Sequence, residues 1–471
     1  MADTLSIAQS ALRAAQAGLN TTGQNISNAN TAGYSRQSVI QATAPTVATG
    51  MGYIGQGTNV ADIKRSYDLF LADQRLAAQA NNSQLQTQLE QMQQMDNLLS
   101  DSASGLSPAL QNFFSSIQDV SLAPADASRR QAFFASANTL VSSFHSLNDQ
   151  LEGINQAVNQ QLAAGVDSLN GLASQLADLN RAIQGTLSNG SREANDLLDK
   201  RDQLLLDISK LAKVSVVRQD NAIDVYIGNG QPLVVGNNVY TFKLITDNSK
   251  TQTPGQYDVA YDFNGSTTVL TANNLAGGEL GGLLAFRSEV FNSARTQIDE
   301  LAKSLSTQLN TNNQAGITAN GTAGQALFAL TVNDPHAASA IVLLTQNIQA
   351  LAAASGTVGN PPVAPAAGNN GNLQALQNLQ TQPLLNNNSD TFQQAFARVV
   401  GQVGSKTNEL QKTSAAASSI LQHTQDAVGQ VSGVNLDEEA ANLIRYQQAY
   451  QAAGKLVQIS KEMFDSLLQI A

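Results

Sequence analysis

The chain has 471 residues, with Lys+Arg 25 against Asp+Glu 36 and a formal charge of −11. A length of this order holds two to four domains of about 100 to 200 residues each, and with no basic run to neutralise a row of phosphates, charge argues against a nucleic-acid partner. Charged residues are only 13% of the chain, about half the usual share, so amides and hydroxyls must cover much of the surface. The absence of Cys removes disulfides, thiolate chemistry and sulfur-bound metals.

The opening segment, MADTLSIAQSALRAAQAGLN, has Arg13 as its first cation and no uninterrupted apolar core, so no cleavable secretory signal is expected. Nor does any later apolar run reach the ~20 residues needed to cross a bilayer. Leu5, Leu12, Leu19 and Ile26 fall seven apart, with Ala8, Ala15 and Thr22 between them. This spacing predicts a helix with an a/d seam whose d positions are small. The helix stops in NISNANTAGYSRQ, residues 25–37. Asn28, Asn30 and Gly33 tolerate left-handed backbone, so Gly33 is expected to set the geometry of the exit while Asn28 and Asn30 cap. Tyr34 and Arg36 read as packing residues.

Gly50, Gly52 and Gly55 spell a literal G-x-G-x-x-G, but a dinucleotide site needs a helix opening at those glycines, and YIGQGTNV reads instead as a glycine-rich turn between short strands. Leu71, Ala78, Leu85, Met92 and Leu99 mark a helix, and Pro108 opens a short one with Phe113, Phe114 and Ile117. Phe144, Leu151, Val158, Leu172 and Leu179 mark a very long one, and NDLLDKRDQLLLDISKLAKV adds another ending near Lys213. From Val214 the period becomes two. Ile223, Val225 and Ile227 run up to Asn229-Gly230, and Tyr257, Val259, Tyr261 and Phe263 up to Asn264-Gly265, both hairpin signals. Helical spacing resumes with Phe291, Ala294, Ile298, Leu301 and Leu305. SGTVGNPPVAPAAGNNGN and NNNSD read as loops, and Phe396, Val403 and Leu410 mark a last internal helix.

At the far end Leu436, Leu443, Tyr450, Val457 and Phe464 again fall seven apart, while the series ending in Leu468 is interrupted by Gln447, Gly454 and Lys461. Asn435 with Glu438 forms a capping-box pair, and Asp437, Glu438 and Glu439 place negative charge at the positive end of the helix dipole. Neither terminal helix can bury its seam alone. The predicted fold is therefore mainly α with a β insert, in nested chain order: a terminal-helix coiled-coil domain (1–66 and 431–471), a helical-bundle rod (67–213 and 279–430) and a small antiparallel β domain (214–278).

Sites for chemistry are not apparent. His145, His336 and His423 lie far apart, and neither H-E-x-x-H nor G-x-S-x-G occurs. No catalytic, cofactor-binding or metal residue is assigned, and no enzyme activity is expected.

NISNANTAGYSRQ resembles the N-terminal signature of bacterial flagellar axial proteins, the rod, hook and hook-associated family. NLIRYQQAYQAAGKLVQISKEMFDSLL is similar to the C-terminal segment of that family. The interior blocks LEQMQQMDNLLSDSASGLSPALQNFFSSIQDV, NDLLDKRDQLL, GELGGLLAFRSEVF and SGVNLDEEAANL resemble its hook-associated, junction-forming members. The resemblance implies a structural component at the junction of hook and filament that permits filament assembly. It also implies terminal helices lining a tube, a rod outside them and β structure on the surface. Implied partners are neighbouring copies, the hook protein below, the second junction protein above and an export chaperone on the C-terminal segment. Export through the flagellar type III apparatus, without a cleaved signal, would place the chain outside the cell.

In that setting the turn motif is Asn25, Ile26, Asn28, Asn30, Thr31, Gly33, Tyr34 and Arg36. The assembly seam is Leu5, Leu12, Leu19 and Ile26 with Leu436, Leu443, Tyr450, Val457, Phe464 and Leu468. Family members often carry a second outer β domain before the last internal helix, and Leu327 to Gly371 is too short to hold one. The competing readings are another axial protein, such as the hook or second junction protein, or a secreted amphipathic translocator or adhesin. The terminal helices lack the basic face that anionic lipid requires, so membrane insertion is not expected.

Overall fold

A computed structural model of the chain describes residues 2–49, 52–100, 105–188, 194–219, 222–246, 255–263, 265–331 and 336–470. In chain order the first elements are α1 (Ala2–Ser27), β1 (Gln37–Thr43), β2 (Val47–Thr49), β3 (Gly52–Ile54), β4 (Thr58–Arg65), α2 (Leu69–Leu99), α3 (Leu106–Leu122), α4 (Ala127–Ser188) and α5 (Asn195–Leu211). Strands β5 (Val214–Gln219), β6 (Ala222–Ile227), β7 (Gln231–Val235), β8 (Asn238–Val239), β9 (Phe242–Thr246), β10 (Tyr257–Phe263) and β11 (Ser266–Leu270) follow. The remainder is α6 (Gly278–Phe286), a π-helical turn (Arg287–Phe291), α7 (Asn292–Ala315), β12 (Phe328–Leu330), α8 (Ala337–Ala340), β13 (Ile341–Leu343), α9 (Gly371–Asn378), α10 (Phe392–Ser432) and α11 (Leu436–Ile470).

Two compact units result. The first is Met1–Asn82, Ser168–Thr241 and Ala417–Ala471, and the second is Ser83–Asp167 and Phe242–Ala416. Helices α2, α4 and α10 contribute residues to both.

In the first unit, α1 packs along α11, and β1 pairs antiparallel with β4, from Gln37 opposite Arg65 to Thr43 opposite Thr58. The short β2 and β3 pair with each other, Thr49 opposite Gly52. Of the G-x-G-x-x-G match, Gly52 opens β3 and Gly55 follows it, so neither opens a helix; Gly50 lies outside the described residues. The four-stranded sheet runs β5-β6-β7-β8.

In the second unit, a large apolar core is built from Phe113, Phe133, Phe134, Phe144, Phe286, Phe291, Phe328 and Phe392, all nearly fully buried. Edge-on rings recur, as between Phe113 and Phe114 with centroids 5.4 Å apart, an arrangement favoured by the ring quadrupole. The GELGGLLAF stretch of α6 is glycine-rich for a steric reason: a Cβ at Gly282 would lie 2.6 Å from the Gln84 carbonyl of α2. Here the sheet order is β11-β10-β9, and β12 pairs with β13. Among the described residues of 327–371, β12 and β13 are the strands present, and the segment after β13 is held to α4 by Arg130, which donates to the Ile348 and Leu351 carbonyls.

Two points of the expected fold gain detail. The strands of residues 214–278 form two small antiparallel sheets, and a buried asparagine of α4 holds each of them. Asn180 donates to the carbonyls of Ile223 and Gly236. Asn159 donates to the Gly255 carbonyl at 2.7 Å and accepts from the Tyr257 amide at 3.0 Å. Second, the buried stripe of α4 follows Phe144, Leu151 and Val158 but then moves to Leu162, Val166, Leu169, Ala173 and Leu176, leaving Leu172 and Leu179 half-buried. A straight helix of 3.6 residues per turn drifts away from a seven-residue repeat, so a strict heptad count loses the stripe over this length. The Asn264 of the second hairpin signal lies outside the described residues.

Asn159 has a third task. Its Oδ1 also accepts from the Arg287 guanidinium at 2.7 Å, and Arg287 donates to the Tyr257 carbonyl at 2.8 Å. Arg287 is buried in the π-helical turn, and burial brings its pKa down to about 10, so it stays charged at neutral pH. Replacing Asn159 with Ala leaves that charge and two backbone groups short of partners. The expected cost is about 3 kcal/mol in urea unfolding of the chain; a variant within ~0.5 kcal/mol of the parent would show that the network contributes little.

Candidate functional site

The turn motif and both terminal seams lie in the first unit. The leucines of α1 are not its most buried residues. The buried strip of α1 is Ala8, Ala14, Ala15, Thr21, Thr22 and Asn25, whereas Leu12 and Leu19 are half-buried and Leu5 and Ile26 exposed. Small side chains let the two backbones come close. At Gly18 a Cβ would sit 2.5 Å from the Tyr446 ring, so no larger residue fits without moving α11. On α11 the matching positions are Glu439 and Ala453, both buried, seven residues either side of Tyr446. Leu436, Leu443, Tyr450 and Phe464 are exposed and Val457 half-buried; the side chain of Leu468 lies outside the described residues.

The Asn25 and Gly18 contacts give an antiparallel register, Asn25 to Glu439 and Gly18 to Tyr446, which sets Ala11 opposite Ala453. Asn25 is the fully satisfied hub of this end. Its amide donates to the Gln37 carbonyl at 2.9 Å and to the Glu439 carboxylate at 3.1 Å. Its Oδ1 accepts from the Gln37 amide at 3.0 Å and the Tyr34 hydroxyl at 2.8 Å. One side chain thereby ties the end of α1 to the start of β1 and to α11.

Between them the chain makes a turn in which Gly33 has φ +81°. Asn28 caps by donating to the Gln24 carbonyl at 3.0 Å and accepting from the Thr31 hydroxyl at 3.2 Å. Neither Asn28 nor Asn30 takes positive φ, so the left-handed position falls on Gly33 alone in this turn, and Asn30 is exposed. Three consecutive left-handed asparagines do occur in the chain, at Asn386, Asn387 and Asn388 of the NNNSD loop.

Arg36 is more than a packing residue. Its guanidinium donates to Glu439 at 2.8 Å and pairs with Glu438 at 2.8 Å, and its amide donates to the Ser432 carbonyl at the end of α10. The acidic opening of α11 thus does two things. Asn435 caps the helix by accepting from the Asp437 amide at 3.0 Å, while the Glu438 and Glu439 side chains turn to Arg36. Sequence reasoning read those carboxylates as dipole partners and Glu438 also as the capping-box partner of Asn435; what it lacked was the knowledge that Arg36 lies opposite them.

The NDLLDKRDQLL block supplies residues that sequence reasoning assigned no role. Asp199 of α5 accepts from the Ser35 amide at 3.0 Å and from Arg65 at 3.0 Å, and Asp202 from Arg65 at 2.6 Å. Asn195 donates to the Ile63 carbonyl at 2.8 Å. Helix α5 therefore pins the end of the turn and β4. Spacing offered a clue: Asp199 and Asp202, three apart, share one helix face.

No group of acidic, His or Cys side chains suited to a metal occurs among the described residues, and no described helix is long and apolar enough to cross a membrane. His145 meets the Ile341 carbonyl at 2.7 Å and His336 the Asp299 carboxylate at 2.9 Å. Both hold the segment around α8 in place.

Burial first, then the carboxylates of Asp196, Asp199 and Glu439, push the Tyr34 phenol from 10.0 up to about 12. A raised value means the neutral phenol is favoured in the fold. Its contribution is complete below pH 10.0 and disappears as pH rises through about 12. Alkaline titration of urea stability should show this loss in the parent and a shallower one in Tyr34→Phe. Identical alkaline slopes would remove Tyr34 from the node.

The profile for the flagellar hook-associated protein FlgK helical domain matches residues 92–328. The profiles for the flagella basal body rod protein and the flagellar basal body rod FlgEFG protein C-terminal region match residues 5–34 and 427–470. Flagellar hook-associated protein 1 of Escherichia coli is 31% identical, covering 100% of each chain in an alignment of 552 positions, so that relative carries sequence with no counterpart here. The same-named protein of Bacillus subtilis is 26% identical over 98% of this chain and 97% of its own. In fold, the flagellar hook junction protein FlgK from Burkholderia pseudomallei is similar at a TM-score of 0.69, with 22% identity, over 76% of this chain and all of that one. With a full-length relative at 31% identity and a matching helical-domain profile, the chain belongs to the FlgK family of flagellar hook-associated proteins, structural components of the axial assembly at the hook-filament junction.

Proposed function

We propose that neighbouring copies assemble through the apolar residues that the α1–α11 pair leaves outward. These are Leu5, Leu12, Leu19 and Ile26 on α1, and Leu436, Leu443, Tyr450, Val457 and Phe464 on α11, with Leu468, whose side chain lies outside the described residues, added from the sequence alone. The observation that carries this is a difference in burial on the two helices: small residues such as Ala8, Ala15 and Ala453 are buried, whereas Leu5, Ile26, Leu436, Leu443, Tyr450 and Phe464 are exposed. Leu436 is 54% exposed and Phe464 55%. Burying such a side chain is worth about 2 kcal/mol, a gain left open to a neighbour in a tube.

In this reading residues 1–66 and 431–471 form the inner tube, 67–213 and 279–430 the rod, and 214–278 the outer surface. The hook protein lies below and the second junction protein above. The C-terminal segment is held by a dedicated chaperone before export through the flagellar type III apparatus without a cleaved signal. The chain acts by geometry alone, with no catalysis, cofactor, nucleic acid or membrane insertion.

Leu443→Asp is the direct test. It introduces a carboxylate at an exposed position, so the soluble chain should melt close to the parent. In the assembled tube the same carboxylate loses water at about 3 kcal/mol per copy. Electron microscopy should show hooks without filaments, with flagellin in the medium, whereas Gln160→Asp should leave filaments intact. Normal filaments on hooks carrying Leu443→Asp chains would refute the seam.

A further inference from the structure

The α1–α11 pair carries a second apolar surface that the seam does not use. Leu456, Ile459 and Met463 of α11 are 49%, 51% and 51% exposed. Their place round the helix follows from the line of contact with α1, which runs through Glu439 and Tyr446 and, at the same step of seven, through the buried Ala453. At about 3.6 residues per turn, a residue three before a position on that line stands roughly 60° to one side of it, and a residue three after stands roughly 60° to the other. Leu443 and Tyr450 fall three before Tyr446 and Ala453, whereas Leu456 falls three after Ala453. Met463 follows Leu456 at seven, and Ile459 lies further round the same side. The seam and this patch therefore occupy opposite flanks of the contact.

Between these flanks the outward surface of the pair is polar. The back of α1 exposes Gln9, Arg13, Gln16 and Asn20, and the back of α11 exposes Gln451, Lys455 and Gln458. Apolar side chains gain by leaving water for apolar surface, and on the helix pair the flank of Leu456 offers that surface to the seam. Symmetry points the same way. A tube of equivalent copies is built by head-to-tail contacts in which two unlike patches of every chain meet, whereas a seam meeting another seam closes as a pair and adds no third copy.

We infer that the seam of one copy, with Leu12, Leu19, Leu443 and Tyr450, packs on the Leu456, Ile459 and Met463 flank of the next. This rests on the proposal that copies assemble through the seam, and it names the surface on which the seam lands.

Photo-crosslinking in flagella tests the contact. The photoreactive residue p-benzoylphenylalanine replaces Ile459, or Met463 in a second variant, in cells that also make the parent chain, so that junctions form even where the label seats poorly. Purified flagella are irradiated and run on a denaturing gel, and the adduct is digested with trypsin. The expected product is a band at twice the chain's mass, at least ~tenfold above that from a label at Gln451, because assembly holds label and target at high effective concentration. Its crosslinked peptides should be residues 14–36, 413–445 or 446–455 of the second copy, which carry Leu19, Leu443 and Tyr450. Adducts confined to other peptides or to a different protein, or yields no better than that of Gln451 in both variants, overturn this contact and leave the seam standing. Normal filaments on hooks carrying Leu443→Asp chains overturn the seam, and this contact falls with it.

Discussion

Everything in the first unit depends on how closely α1 can approach α11. That distance is set by Gly18 against Tyr446 and by the alanines and threonines around it. A larger side chain at Gly18 would force the helices apart. The Asn25–Glu439 bond, seven residues along, would then be stretched, and with it the link from Glu439 to Arg36. Close approach also decides what stays outside: once the small faces meet, the heptad leucines flank the contact instead of filling it.

Buried polar groups are the second constraint, and they are answered by design of the sequence. Glu439 and Asp199 are buried carboxylates, each met by an arginine and by an amide donor. An unpaired charge in either place would be expensive, whereas a satisfied one fixes direction, since hydrogen bonds tolerate little misalignment. This explains why a turn of polar residues between α1 and β1 keeps one shape. The second unit uses the same device. Asn159, Arg287, Arg130 and Asn313 reach from helices to backbone carbonyls and hold sheets and loops against them.

Helices were the legible part of the sequence, because apolar periodicity reports burial directly; α2, α7 and α10 follow their marked residues. So were the hairpin at Asn229-Gly230 and the left-handed Gly33. Less legible was which face of α1 would be buried. Periodicity finds a stripe but ranks large residues above small ones, and here alanine, glycine and threonine form the contact. The ion pair of Arg36 with Glu438 and Glu439 joins residues about 400 apart in the chain, and local pattern carries no such information. The role of α5 was hidden for the same reason. The asparagines of α4 that hold the two sheets look in the sequence like any other polar residue on a helix.

The central claim is that small faces pair within one chain and large residues are left for other copies. The register sets Ala11 opposite Ala453, and a Cys at each would be within disulfide reach if the backbones are as close as the Gly18 contact requires. Ala11→Cys/Ala453→Cys chains, oxidised in purified flagella and run without reductant, measure this directly. The account predicts a single crosslinked species at monomer mass. Dimers and longer ladders in place of that species would mean that α1 takes its α11 from another copy, and the small-face pairing within the chain would be wrong.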